Sequence, residues 1–430
     1  MSFKFSPIKI LLFSLCTWLV CVLLVPVTYL NIEPIWNATF IYMSYIICLI
    51  LGMIFYRRSI KVSKVSVYKL DVRRLQKVLR IIFLLGVIGV CLRVLQRINM
   101  GMSFSLSDVS NNRMESLDMG ELSGGGVSVF AAILYPFSFI ALIVAIYIRP
   151  HVRTIFFVII VFLGLFPMFD NILLGGRMTT AFQMIILLFV FQIKRAINGR
   201  KTKLPWKKIL ILGFIFILFY SVMGYNRYET MYFQQDNIDY GFLIGMSEKY
   251  QETSFDHWFI SLLLNSNPYL SAILLGIEGL LHYIAHGFFE FVRLVNHMDE
   301  YFGTYWGKYE FYIFIKGFRA MGFETGMDFS EMSMAVMHKV GFYTTFAGPL
   351  FIDFGIFGIF FCFFFGILIQ SLYQKVIMRS FIGMIFYPLF AAILFAFPIL
   401  NWLMGANLYF FVAAFITVFF YLTKERQIKK

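Results

Sequence analysis

At 430 residues, 60% hydrophobic and only 14% charged, the chain is excluded from both the ordinary soluble class and the disordered class. Its formal net charge of +14 invites a nucleic-acid partner, but the basic residues sit in short loops between apolar runs, a topology signal that argues for no nucleic acid. All five cysteines (Cys16, Cys21, Cys48, Cys91, Cys362) lie in apolar runs, so neither a disulfide framework nor a thiolate metal site is implied.

Many windows reach the roughly 20 apolar residues that cross a hydrocarbon core about 30 Å thick. Lys4 and Lys9 precede a first predicted span, 10–30; with no small-residue cleavage site after it, it reads as a retained helix. A second span, 40–56, follows a short connection holding Glu33 and Trp36. Residues 57–80 then carry nine Lys or Arg against one acid, Asp71, which places this loop and the N-terminus in the cytoplasm. The third span, 81–99, brings Arg93 and Arg97 to one face near its outer end. An outward loop, 101–126, holds four acids against Arg113 and ends in three glycines. The fourth span, 127–148, returns to Arg149 and Arg153. The fifth runs to about 174 with Asp170 near its end, and Gly175-Gly176-Arg177 makes the outward turn. The sixth, 178–193, leads to residues 194–208, seven basic residues and no acid, a second cytoplasmic marker. The seventh, 209–225, delivers the chain outward again.

Residues 226–348 hold 14 of the 23 acids, and clusters of ionisable groups at a membrane are functional hypotheses by default. Within them, 265–295 is too apolar for an ordinary loop. Glu278, His282, His286 and Glu290 recur every four residues there, forming one polar stripe on an otherwise apolar helix. A re-entrant or interfacial helix lining a wet cavity is expected. Spans at 350–373, 381–400 and 406–422 close the chain, leaving the C-terminus cytoplasmic. The expected architecture is an all-α polytopic membrane protein of ten transmembrane helices, twelve if the central segment crosses twice. It divides into a membrane domain (1–225), a periplasmic segment (226–348) and a second membrane part (349–430). No internal repeat is visible, which argues against a transporter built from inverted repeats.

Three outward arginine groups stand out: Arg93 with Arg97, Arg177 after its glycine pair, and Arg227 in Asn226-Arg227-Tyr228. A guanidinium pairs bidentately with phosphate oxygens and stays charged in a low dielectric, and Gly175 and Gly176 allow close backbone approach. Equally, each arginine can snorkel to headgroups or pair with Asp170 or Glu229. His282 and His286 have the spacing of helical zinc sites but no recognisable third ligand, so no metal and no cofactor is expected. A histidine or carboxylate of the stripe, or Glu252, can instead act as a general base. Trp258, Trp306 and Tyr309 read as interfacial belt residues or as platforms for sugar rings.

The many spans, the Gly-Gly-Arg turn, the outward Asn-Arg-Tyr and the late Gly348-Pro349…Asp353-Phe354-Gly355-Ile356-Phe357-Gly358 together resemble Wzy-type O-antigen or oligosaccharide repeat-unit polymerases. The resemblance implies a bacterial inner-membrane glycosyltransferase of the metal-independent GT-C class. Such an enzyme transfers a growing glycan from undecaprenyl pyrophosphate to the next lipid-linked unit, beside a flippase and a chain-length regulator. Arg177 and Arg227 match the family's outward arginines. With His282 and Glu278 they are the catalytic candidates, and no matching motif fixes which group is the base. Arg93, Arg97, Gly175, Gly176, Glu252, His286, Glu290 and Arg319 are the substrate-binding candidates. An O-antigen ligase, with the same chemistry on a different acceptor, and a polysaccharide flippase are the alternatives.

Overall fold

The computed structural model describes residues 5–59, 68, 70–105, 125–174, 176, 178–199, 240–298, 302–320, 322–323, 326, 328–337, 339 and 342–422. Eight helices among them are long and apolar enough to cross a membrane. These are α1 (Pro7–Leu24), α2 (Trp36–Ser59), α3 (Val72–Asn99), the pair α4 (Gly125–Leu134) and α5 (Pro136–Tyr147) acting as one span, α6 (Thr154–Leu173), α7 (Met178–Ile197), α13 (Ala347–Phe354) continuing into α14 (Gly358–Ile377), and α16 (Leu408–Leu422). A shorter apolar helix, α15 (Phe381–Ala396), falls where the ninth span was expected. The expected seventh span, 209–225, lies outside the described residues.

Local chemistry sets several boundaries. Asp71 caps α3 by accepting the Arg74 N–H at 3.1 Å. Pro136 has no N–H to continue α4, so the chain breaks at Tyr135 and restarts as α5. Eleven residues of α5 are buried, and α15 is buried nearly all round, as expected for helices apolar on every face. Both form the core against which the other spans pack.

The basic helix ends gather at one end of the bundle. There the Lys194 ammonium donates to the Ile146 carbonyl, the Gln76 amide to His151 O at 2.5 Å, and the Tyr68 N–H to Met378 O at 2.9 Å. The opposite end, here termed outer, holds residues 302–311 and the helices α8 (Tyr240–Gln251), α9 (His257–Leu264), α10 (Pro268–His297), α11 (Tyr312–Ala320) and α12 (Phe329–Val336). No strand was expected. Yet β1 (Val27–Tyr29) pairs antiparallel with β2 (Thr253–Phe255) at the outer end, in the register Tyr29↔Thr253 and Val27↔Phe255.

Helices α2 and α14 touch backbone to backbone. A Cβ on Gly52 would strike the Phe363 carbonyl, and one on Gly366 the Leu49 carbonyl. Gly366→Val should therefore push the pair apart, costing about 1–3 kcal/mol by overpacking. Thermal unfolding in detergent reads the loss, and an unchanged midpoint would show that the helices can move apart freely.

Candidate active site

Helix α10 starts at Pro268 with Asn267 as its cap, the side chain accepting the Leu270 N–H at 2.9 Å. Its second half lies across the outer end of the bundle. Trp18 of α1 donates to Ala285 O at 3.4 Å, and Tyr42 of α2 packs on Phe288 and Phe291. The period of four residues holds, so Glu278, His282, His286 and Glu290 share one face. That face is not open to water: all four are at most 6% exposed. The inward side of β1 covers it, because Tyr29 stacks on Phe289 and His282, its hydroxyl 3.3 Å from His282 Nδ1.

Within this column Glu278, His282 and His286 are neutral, proton-bearing groups, whereas Glu290 is ion-paired with Arg293. The His282 and His286 rings stack at 5.2 Å. His286 Nδ1 lies 3.0 Å from the His282 carbonyl, which can only accept, so Nδ1 carries the proton and Nε2 keeps its lone pair. Burial pulls His286 down to about 4 and holds His282 well below the usual imidazole range, helped there by His286 and Arg293. Burial pushes the Glu278 carboxyl up to about 8, and its Oε1 has no hydrogen-bond partner among the described residues. Glu290 is also raised by burial, against the opposing pull of Arg293.

Arg293, one turn beyond Glu290, ties the column to the strands. It pairs with Glu290 and, at 3.5 Å, with Glu252. It also donates to Leu30 O (2.7 Å) and Glu252 O (2.9 Å). Lys339 completes the network on Glu252 at 2.9 Å. Glu252 thus holds cations in place at the edge of the column. Sequence reasoning missed Arg293, although its i,i+3 spacing from Glu290 was legible; Tyr29 gave no signal at all.

A second group joins the outer ends of α3 and α6. Asp170 accepts from Arg97 Nε (2.9 Å) and Nη2 (3.1 Å) as a bidentate fork, and from Arg93 Nε at 3.0 Å. Arg93 also donates to Gln96, whose amide reaches Ser128 of α4 at 2.6 Å. Two guanidiniums on one carboxylate leave a net positive charge at the outer end. Gly176 donates its N–H to Asn171 O at 2.8 Å in the turn after α6. Arg319 sits beside Asp328 at 3.8 Å and donates to Gly326 O at 2.7 Å. Gly175, Arg177 and Arg227 lie outside the described residues.

A third group escaped the sequence reading. The Glu310 carboxyl is fully buried, accepts the Asn401 amide at 2.8 Å on each oxygen, and is pushed up to about 8 by burial. Asp353, from the late motif, accepts the backbone N–H groups of Tyr309 (3.1 Å) and Glu310 (2.7 Å) and so pins this turn to α13. Gly355, at φ +52°, then turns the chain into α14, and its carbonyl accepts the Tyr45 hydroxyl. Trp258 and Trp306 are exposed as belt residues would be. Tyr309 is not: it is buried, with its hydroxyl 3.2 Å from Ser333 Oγ. Among the described residues, no three His, Cys, Asp or Glu side chains are grouped to hold a metal ion.

The arrangement can hold or move a proton along α10 and places a separate group of net positive charge at the same end of the bundle. No curated protein and no solved structure matches the chain. Residues 5–247, more than half of it, match the family described as O-antigen polysaccharide polymerase Wzy; the match takes in the Arg93–Arg97–Asp170 group and stops short of α10. With its multiple membrane helices, the chain belongs to the Wzy family of inner-membrane O-antigen polysaccharide polymerases, which join O-antigen repeat units.

Proposed function

We propose that this chain transfers a growing glycan from undecaprenyl pyrophosphate to the next lipid-linked repeat unit, at the periplasmic face and without a metal ion. Both termini and the basic end of the bundle then face the cytoplasm, and a flippase and a chain-length regulator work alongside. The observation that carries this reading is the buried, neutral proton-bearing column Glu278–His282–His286 at the end of the bundle opposite the basic loops. In the transfer, the acceptor hydroxyl loses its proton to the ionised form of Glu278 or to the free lone pair of a neutral histidine of the column as its oxygen bonds the anomeric carbon. The bond from that carbon to the pyrophosphate breaks, and the leaving anion needs positioned cations. Arg177 and Arg227 supply them, with Arg93 and Arg97 adding positive potential at the same end.

Lysine keeps the charge of an arginine but loses the bidentate fork. Arg177→Lys and Arg227→Lys should each slow polymerisation by about a hundredfold, the usual cost of one lost contact to a developing anion. The glycan ladder of strains carrying each variant should collapse to core plus one repeat while the protein inserts normally. Full-length ladders at wild-type rates from both variants would sink the assignment.

A further inference from the structure

Where α14 begins, Trp306, Phe354, Phe357, Phe360 and Phe361 enclose an open cavity of about 500 Å³. Its walls are aromatic faces: Phe357 lies nearly parallel to Trp306 (27°, 6.5 Å), Phe354 meets Trp306 edge-on, and Phe361 stacks on Phe354 at 6.2 Å. Phe360 also opens the exposed stripe Phe360, Phe364 and Leu368, which the bilayer covers. The cavity is therefore continuous with the lipid-facing surface of α14.

Its rim is held rigidly. Trp306 is 64% exposed, yet its backbone is left-handed at φ +51°, a strained conformation for a bulky residue. The turn over-determines it: Trp306 N–H donates to Asp353 O at 3.1 Å, Thr304 N–H to Ile352 O at 2.8 Å, and the Asp353 carboxylate takes the Tyr309 and Glu310 N–H groups. Lys308, exposed two residues on, puts a cation on the same turn.

We infer that this groove binds the polyprenyl chain of a lipid-linked substrate and leads its pyrophosphate towards the turn carrying Lys308. The carrier's chemistry rests on the function proposed above. The volume falls within the range of about 300–1,000 Å³ typical of ligand sites. Five side chains offer far less than the roughly 800 Å² per partner that a stable second copy would bury. An apolar chain with an anionic head matches aromatic walls that end at a lysine.

The test uses the full chain in phosphatidylglycerol nanodiscs with a polyprenyl pyrophosphate bearing a benzophenone near its head. Irradiation should place adducts on 302–311 and 354–361. Excess undecaprenyl pyrophosphate should remove them and excess phosphatidylglycerol should not. Trp306→Ala combined with Phe357→Ala should lower labelling about tenfold, the worth of a lost aromatic wall. Adducts spread evenly over the lipid-facing helices, equal competition by phosphatidylglycerol, or cross-links between two copies at this groove would each overturn the inference. Labelling needs no turnover, so its absence from the groove of the unaltered protein beside a normal glycan ladder rejects the groove alone. Labelling retained while both arginine variants polymerise normally rejects the proposed chemistry alone.

Discussion

Asp170→Ala should lower the stability of the detergent-solubilised protein by about 3–5 kcal/mol, the cost of leaving a buried charge uncompensated. Arg97 is 5% exposed, and among the described residues the one carboxylate with which it is paired is Asp170. Arg93, with more access to water, can turn away; Arg97 would have to stay buried as a bare cation or tear the outer end of α3 from α6. Replacing both partners by apolar groups of similar volume is often neutral, so Arg97→Met with Asp170→Leu should recover most of the loss. That double variant separates two roles. Recovered stability with polymerisation still impaired would mean that the positive charge serves the substrate. Recovery of both would make the cluster purely structural, and an unchanged unfolding midpoint in Asp170→Ala would deny that the ion pairs hold the helices at all.

Glu278→Gln should abolish most polymerisation while leaving the fold as stable as before below about pH 4.5 and more stable above it. The side chains are nearly the same shape, and general-base loss typically costs 10²–10⁴-fold. The sign of the pH effect follows from burial. The unfolded carboxyl ionises near 4.5 and the folded one near 8, so the folded state takes up no penalty below 4.5 and loses stability as pH rises from there to about 8. Glutamine cannot ionise and removes that loss. For catalysis the order reverses, because a base must be ionised to accept a proton: the wild-type kcat/KM should climb with pH until about 8, and the variant should lack that limb. A variant that polymerises normally, or a wild-type profile flat from pH 6 to 9, would move the base to His282 or His286.

Span positions were legible because each is a local property: a run of apolar side chains between charges folds the same way whatever it later packs against. Hence α1 to α3, α6, α7, α14 and α16 fall close to where the hydropathy places them. The four-residue period of Glu278, His282, His286 and Glu290 likewise required one shared face, since helical geometry follows from spacing alone. What covers that face was not local. Tyr29 lies 253 positions from His282, on a three-residue strand that exists only because β2 pairs with it. Without that cover the stripe reads as lining water; with it, the carboxyl and both imidazoles are held neutral. Glu310 is the same case: one acid among aromatics, given its meaning by Asn401, 91 positions away. The late motif around Asp353 carried the family resemblance, but its work, pinning the 303–311 turn, depends on a backbone more than forty positions upstream. Sequence by itself determined where most membrane helices lie, which face of α10 is polar and which end of the bundle is basic. Tertiary structure alone decided which charges are paired, as Arg93 and Arg97 are on Asp170, and which are buried and neutral, because desolvation and ion pairing depend on neighbours that chain order does not specify.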